Sequence, residues 1–131
     1  MARRTKDIEI KDPESRDNGK TYVVTEMSAE AAEWWAFRVL QAILGANAEI
    51  DLSAPLAQMA AAGFKALGQL EPEKAKPLLD EMMKCVSMRL PDGKTRELFA
   101  GATDIEEVKT RVILRKEIFA LHVDFFQNGG V

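Results

Sequence analysis

The sequence feature that most constrains the fold is a long hydrophobic stretch at residues 103–131. Its spacing predicts one helix over about 104–126, with Thr103 or Asp104 as the N-cap and an acidic residue placed to complete a capping box. Apolar side chains then recur in two neighbouring stripes, Val108, Val112, Phe119 and Phe126, and beside them Leu114, Ile118, Leu121 and Phe125. Because this face is wider than a two-helix seam requires, we expect the helix to be buried on several sides, by its own domain or by a partner.

The length and composition of the chain are those of one small domain. At 131 residues, 47% of them hydrophobic and 30% charged, the chain can form a core without disulfides or metal. We expect a single domain over 1–131, with 1–6 as a flexible terminus. The net charge of −3 gives no reason to expect nucleic acid. There is no apolar run near the roughly 20 residues that span a bilayer, no apolar signal-peptide core, and one cysteine, which together predict a cytoplasmic protein with no membrane contact.

The N-terminal half predicts a β-hairpin followed by two helices. Alternating and β-branched residues place the hairpin at about 6–26, with Asn18-Gly19 as the best reversal point. Since a lone hairpin is marginal in water, it must lie on helices or on another strand pair. Ser28 is the predicted N-cap of a helix at about 29–45, and an alanine-rich pattern predicts a second helix at about 53–67.

The next segment is open to two interpretations near its end. A third helix is predicted at about 72–88, with a kink or restart at Pro77. Pro91-Asp92-Gly93 is a strong turn signal. The residues around it therefore either form a second short hairpin at about 87–98, or continue the helix to Leu90 and then a loop. The predicted fold class is α+β and predominantly helical.

The residues that most often carry chemistry lie in unsuitable surroundings. His122, the only histidine, has apolar helical neighbours that can neither ligate a metal nor orient an imidazole, which favours a packed histidine. Cys85 lies among methionine and valine and is predicted to be a core residue rather than a reactive thiolate. Phosphate loops, dinucleotide-binding glycine patterns and metal-ligand spacings are missing from the sequence. We therefore expect no catalytic residue, no metal, no cofactor and no enzymatic activity.

Adjacent aromatic residues are the best indication of a binding surface. Consecutive helical positions diverge by about 100°, so Trp34 and Trp35 are not expected to share one core pocket. We assign Trp35 to the core and Trp34 either to the hairpin or to an interaction surface, while Phe37 falls on a second apolar line of the same helix. The same reasoning applies to the end of the last helix. The candidate protein-binding residues are therefore Trp34, Phe125 and Phe126.

Three segments carry a resemblance to a known family. The first is Tyr-Val-Val-Thr-Glu-Met-Ser-Ala at 22–29 with Ala-Glu-Trp-Trp-Ala at 32–36. The second is Pro-Leu-Leu-Asp-Glu-Met-Met-Lys-Cys-Val at 77–86. The third is Asp-Ile-Glu-Glu-Val at 104–108, leading to Glu-Ile-Phe-Ala-Leu-His-Val-Asp-Phe-Phe at 117–126. In this order they resemble the tail assembly chaperones of long-tailed, siphovirus-type bacteriophages and prophages, and none of them is a catalytic signature.

The resemblance implies a mainly helical, non-enzymatic protein that binds the tape measure protein. Such a chaperone keeps that long hydrophobic helical protein soluble while tail tube subunits polymerise around it. The resemblance further implies contact with the tail tube protein through a longer frameshifted form, self-association into a homo-oligomer, residence in the cytoplasm of the bacterial host, and absence from the mature virion. The competing interpretation is a small structural or minor tail protein that is retained in the virion.

Overall fold

The computed structural model describes residues 3–45, 65, 67–98 and 103–127; for residues 40, 42–45 and 123–127 the description covers the backbone alone. The helix predicted at 53–67 lies outside this description except for Lys65 and Leu67, both of which are helical. In chain order, the elements with described bounds are β1 Thr5–Glu9, β2 Thr21–Thr25, α1 Ala29–Gly45, α2 Pro72–Met83, β3 Val86–Arg89, β4 Thr95–Glu97 and α3 Val108–Gln127.

The strands form one antiparallel sheet in the order β1-β2-β3-β4. One row of the register shows the pairing, since Ile8 lies opposite Tyr22, Tyr22 opposite Met88 and Met88 opposite Arg96. The two predicted hairpins are therefore halves of one four-stranded sheet. The prediction of a predominantly helical fold is wrong, because a four-stranded antiparallel sheet accompanies the helices. The protein is α+β, with about 45% helix and 19% strand. Short strand pairs that are weak alone become stable when they join in a larger sheet.

A long folded loop joins β1 to β2, in place of the tight reversal predicted at Asn18-Gly19. The Ile10 amide donates to the Lys20 carbonyl at 3.0 Å and closes the loop. Gly19 adopts a φ of +86°, in the left-handed region that favours glycine. Asn18-Gly19 therefore marks the return into β2, and the turns before it carry Asp17 to a fully buried position.

α1 has the bounds predicted for it because its start signal is local. Ser28 Oγ accepts a hydrogen bond from the Ala31 amide at 3.2 Å, which satisfies one of the free amides in the first turn. The Ser28 carbonyl accepts from the Ala32 amide at 2.8 Å and begins the helical hydrogen-bond ladder.

α2 is shorter than predicted because its last predicted turn belongs to the sheet. The helix ends at Met83, and Val86 begins β3. A short apolar run fits either periodicity, and here the pairing of Val86 with Val24 of β2 stabilises the strand. Pro77 lies inside a continuous helix, so the predicted restart is not seen. Of the two interpretations of residues 87–98, the hairpin is the one observed.

α3 begins at Val108, later than the predicted start near 104. Neither Thr103 nor Asp104 is its N-cap, so this part of the prediction is wrong. The Asp104 carboxylate instead accepts two hydrogen bonds from the Arg96 guanidinium, at 2.6 and 2.9 Å. The backbone amides that precede the helix are bound by Asp17 of the β1–β2 loop.

The helices enclose a core against the sheet. Its largest fully buried members are Trp35, Tyr22, Phe119, Leu67, Met82, Leu114, Ile118 and Val24. The Trp35 ring meets Phe119 edge-on with centroids 5.7 Å apart, and the Trp35 indole N–H donates to the Leu78 carbonyl at 3.1 Å. Trp35 is thus the core tryptophan, as predicted, and it ties α1 to α2 and α3.

Among the described residues of α3, burial along the apolar face is uneven. Leu114 and Ile118 are fully buried, whereas Val108 is 76% exposed. The side chains of Phe125 and Phe126 lie outside the described part of the chain. Of the helices that the structure describes, none is long and apolar enough to cross a membrane.

Candidate functional site

The outer side of α1 carries an exposed aromatic pair. The side chains of Trp34 and Phe37 are 58% and 56% exposed. Their rings stack, with centroids 6.0 Å apart and planes 13° from parallel. Aromatic side chains contribute more to cores and interfaces than most others when they are buried. A stacked pair that remains in water is therefore a candidate contact surface.

Helical geometry explains why Trp34 is exposed while its neighbour Trp35 is buried. Successive residues diverge by about 100° around the helix, and Trp35 enters the core. Phe37 follows Trp34 by three residues and so returns to the same side of the helix. Phe37 was not among the predicted protein-binding residues. The three-residue spacing from Trp34 was the signal that could have identified it.

Arg38 restrains the aromatic pair. Its guanidinium carbon lies 5.1 Å from the centre of the Trp34 ring, which is a cation–π contact. The same guanidinium donates to Glu81 Oε1 of α2 at 2.6 Å. Because Trp34 contacts both Phe37 and a fixed arginine, less side-chain freedom is lost when a partner covers the indole.

Polar side chains border the pair along α1. Glu30 lies about one turn before Trp34, Gln41 lies about one turn after Phe37, and Glu33 directly precedes Trp34; all three are exposed. An apolar centre with a polar rim is the usual composition of protein–protein interfaces. The surface therefore has the character of a contact site with an acidic border.

The other two predicted binding residues are not joined to this pair by any contact that the structure describes. Phe125 and Phe126 lie in the last turns of α3. Because their side chains lie outside the described part, their role stays a prediction. Trp34 is the predicted residue around which a described surface can be built.

His122 is buried, and both of its ring nitrogens are engaged. The Met27 amide donates to Nε2 at 2.9 Å, so the proton is on Nδ1, which donates to the Ile118 carbonyl at 2.8 Å. The ring also packs against Trp35 with centroids 5.7 Å apart. Burial lowers the pKa of His122 below its ordinary value of 6.5 and favours the neutral ring. The predicted packed histidine is confirmed, and it links α3 to the residues that precede α1.

Cys85 is buried just beyond the end of α2, as predicted for a core residue. Burial raises the pKa of its thiol to about 11, so the thiolate needed for nucleophilic attack is scarce at neutral pH. Among the residues that the structure describes, no group of three or more His, Cys, Asp or Glu side chains is placed to hold a metal ion.

A cleft of about 450 Å³ lies between the start of α1 and the end of α2. Its two carboxylates belong to Glu26 and Glu81. Arg4 Nε donates to Glu26 at 3.0 Å, and Arg38 donates to Glu81 at 2.6 Å. The hydrogen bond from the Arg4 amide, together with this ion pair, keeps the pKa of Glu26 below its usual range. A carboxyl group whose pKa is held low is a poor general acid near neutral pH, and Glu81 is engaged by the Arg38 guanidinium, which favours a structural role for both.

Asp17 is a fully buried carboxylate that was not among the predicted functional residues. Its Oδ1 accepts from Lys20 Nζ and from the Glu106 amide, both at 2.9 Å. Its Oδ2 accepts from the Glu107 amide at 3.0 Å and from the Thr110 hydroxyl at 2.6 Å. Burial alone raises its pKa, but these bonds outweigh burial and lower the pKa of Asp17 to about 2. Asp17 thus caps α3 from a distant loop.

Comparison with protein-family models found no match to this chain, and comparison with curated proteins and with solved structures found none either.

Proposed function

We propose that this protein is a bacteriophage tail assembly chaperone that binds the tape measure protein, helps to recruit tail tube subunits and has no enzymatic activity. The observation that carries the proposal is the exposed, stacked pair of Trp34 and Phe37 on α1. The three sequence segments that resemble this family support the proposal separately, and the first of them includes Trp34.

The pair suits a long, apolar, helical client. An amphipathic helix laid across α1 could cover both rings, which is a common form of helix recognition. Covering the exposed parts of two aromatic side chains removes roughly 200 Å² from water, or about 5 kcal/mol before the entropic cost of association. When only a few copies of the chaperone bind one client molecule, sites with this binding free energy hold the client weakly and reversibly. Reversible binding fits a chaperone that must release the tape measure protein as the tube forms.

Co-expression with the cognate tape measure protein tests the proposal. The wild-type chain should form a complex and increase the soluble fraction of the client. The double substitution Trp34→Ala and Phe37→Ala should weaken that complex by about 30-fold or more, because aromatic anchors dominate interface energies. Its free energy of unfolding should change by less than about 1 kcal/mol, since both side chains are exposed.

Val108→Ala is the matched control, because Val108 is also apolar and is 76% exposed, but on α3. This variant should bind the client as the wild type does. If the wild-type chain neither forms a complex nor keeps the client soluble, the proposed function is wrong. If the double variant binds as well as Val108→Ala, the aromatic pair is not the client site.

Mass spectrometry of purified virions separates the chaperone from a structural tail protein. A chaperone should be missing from the particle, whereas a minor tail protein should be present in a fixed ratio to the tube subunit. We place the contact with the tail tube protein on the longer frameshifted form, so pull-down by the 131-residue chain should recover the tape measure protein in preference to the tube protein.

A further inference from the structure

Most arginines in the described part of the chain are bound to carboxylates. The ion pairs are Arg4–Glu26, Arg16–Glu107, Arg38–Glu81, Arg89–Asp7 and Arg96–Asp104. In the same part of the chain, Arg3, which is exposed, lacks such an ion pair, and so do the two arginines of α3, Arg111 and Arg115. Within the described ranges, neither guanidinium of α3 has a hydrogen bond or an ion pair, and the Nε of Arg115 is buried without an acceptor.

This arrangement is unfavourable in the isolated chain for three reasons. Arg115 follows Arg111 by four residues, so two like charges share one side of the helix. Arg111 lies close to the N-terminus of α3, where the helix dipole disfavours a cation. Burial lowers the pKa of the Arg115 guanidinium, and the charge of Arg111 lowers it further. A charged group that is partly buried and lacks a hydrogen-bond acceptor within the described chain indicates that a partner molecule supplies the acceptor.

Asp80 of α2, whose charge acts on both arginines, does not fill this role. Its carboxylate already accepts a hydrogen bond from Lys76 at 2.8 Å. Since α2 packs against α3, Lys76, Arg111 and Arg115 together leave a local excess of positive charge around Asp80. The whole chain carries a net charge of −3, so this patch does not reflect a basic composition.

We propose that Arg111 and Arg115 form a docking site for an acidic segment of a protein partner. A guanidinium binds a carboxylate through two parallel hydrogen bonds, and arginines one turn apart match carboxylates one turn apart on a partner helix. Half-buried Val112 and Met83 lie about one turn from Arg115 and Asp80, respectively. This mixed surface fits an acidic amphipathic helix better than a nucleic acid, whose recognition uses an extended basic stripe. The proposal does not depend on the Trp34–Phe37 client site.

Fluorescence anisotropy with a short labelled glutamate-rich helical peptide tests the site at low ionic strength. The full chain should bind this peptide and not its glutamine analogue. The double substitution Arg111→Gln and Arg115→Gln should weaken binding by roughly 10-fold or more. Lys94→Gln, which removes an exposed cation on the β3–β4 turn, should change it by less than about 2-fold.

Two further measurements distinguish a docking site from a structural role. Arg115→Met should leave the melting temperature unchanged or raise it, because it removes a buried donor that has no acceptor. A lower melting temperature, or equal loss of binding in Lys94→Gln, would overturn the assignment. Tighter binding of a single-stranded oligonucleotide of equal charge would also overturn it. Trp34→Ala should bind the acidic peptide as the wild type does. A negative result with the peptide would therefore refute the acidic docking site alone, because the co-expression experiment tests the proposed chaperone function separately.

Discussion

Replacing Asp17 should be among the most destabilising single changes in the chain, although the residue lies in a loop. Asp17→Ala removes a buried carboxylate that accepts from two backbone amides, a hydroxyl and an ammonium group. Lys20 keeps other acceptors, since its Nζ also donates to the Thr103 carbonyl at 2.7 Å and to Glu106 at 3.2 Å. The Thr110 hydroxyl is buried and loses its carboxylate acceptor.

The expected loss is about 3 kcal/mol. Loss of an N-terminal cap costs about 1 kcal/mol and a buried hydroxyl without its acceptor about 1 to 3 kcal/mol. The lowered pKa gives a second estimate. A carboxyl group that titrates at about 2 in the folded state and at 3.8 in the unfolded state contributes roughly 2 kcal/mol at neutral pH. Asp17→Asn keeps the shape and loses the charge, so it should cost about 2 kcal/mol.

Urea denaturation at pH 7 measures both losses. Asp92→Ala is the matched control, because the Asp92 carboxylate also accepts from a backbone amide, that of Lys94 at 2.9 Å, but does so in an exposed turn. It should cost less than about 0.5 kcal/mol. Equal losses for Asp17→Ala and Asp92→Ala would refute the reasoning that burial and the helix cap make Asp17 important.

The pH dependence provides the second arm of this test. The pKa of Asp17 is lower in the folded state than in the unfolded state. Its contribution to the free energy of unfolding is therefore complete above about pH 4 and is lost as the pH falls toward about 2. The gap in unfolding free energy between the wild type and Asp17→Asn should therefore be constant from pH 7 to about 4 and should narrow below that. A gap that stays constant at pH 3 would show that the charge of Asp17 is not what stabilises α3.

Three further predictions follow from buried or constrained residues. Because burial lowers the pKa of His122, its contribution to the free energy of unfolding is complete above about pH 6.5 and is lost as the pH falls through the lower pKa of the folded state. Between pH 7 and 5 the free energy of unfolding should therefore fall more for the wild type than for His122→Leu, and parallel curves would contradict this. Gly19→Ala should cost about 1 kcal/mol by thermal denaturation, because its φ is +86° while no atom blocks a Cβ; an unchanged melting temperature would mean that the loop adapts. The Cys85 thiol, with a pKa of about 11, should react with iodoacetamide at pH 8 at least 10-fold more slowly in the folded than in the urea-unfolded chain, and equal rates would show that it is accessible.

Elements whose signals are local could be predicted from the sequence. α1 was placed correctly because the Ser28 cap lies directly before it. The start of α3 was misplaced because its cap is Asp17, which lies 89 residues before Glu106. No local pattern around Thr103 reports a carboxylate that arrives from another part of the chain.

Pairing between distant strands explains the wrong fold class. Val86 and Met88 read as the end of an apolar helix, and only their partners Val24 and Tyr22 on β2 make them a strand. The proportion of helix was overestimated for this reason. At the candidate site, the divergence of Trp34 from Trp35 was predictable from helical geometry, but the ring stack with Phe37 and the anchoring of Arg38 by Glu81 required the packed structure.

The cap that Asp17 provides also sets an order in which the chain can fold. During synthesis the β1–β2 loop emerges long before the residues it binds, which lie 89 to 93 positions later. Until α3 arrives, Asp17 has no helix to cap, and the sheet lacks Leu114, Ile118 and Phe119 from its core. Contacts of such long range are slow to form, and an uncovered sheet is prone to aggregate. Stable folding of this protein is therefore a late event that depends on its last described helix, and shortened chains that lack α3 should be removed by proteolysis.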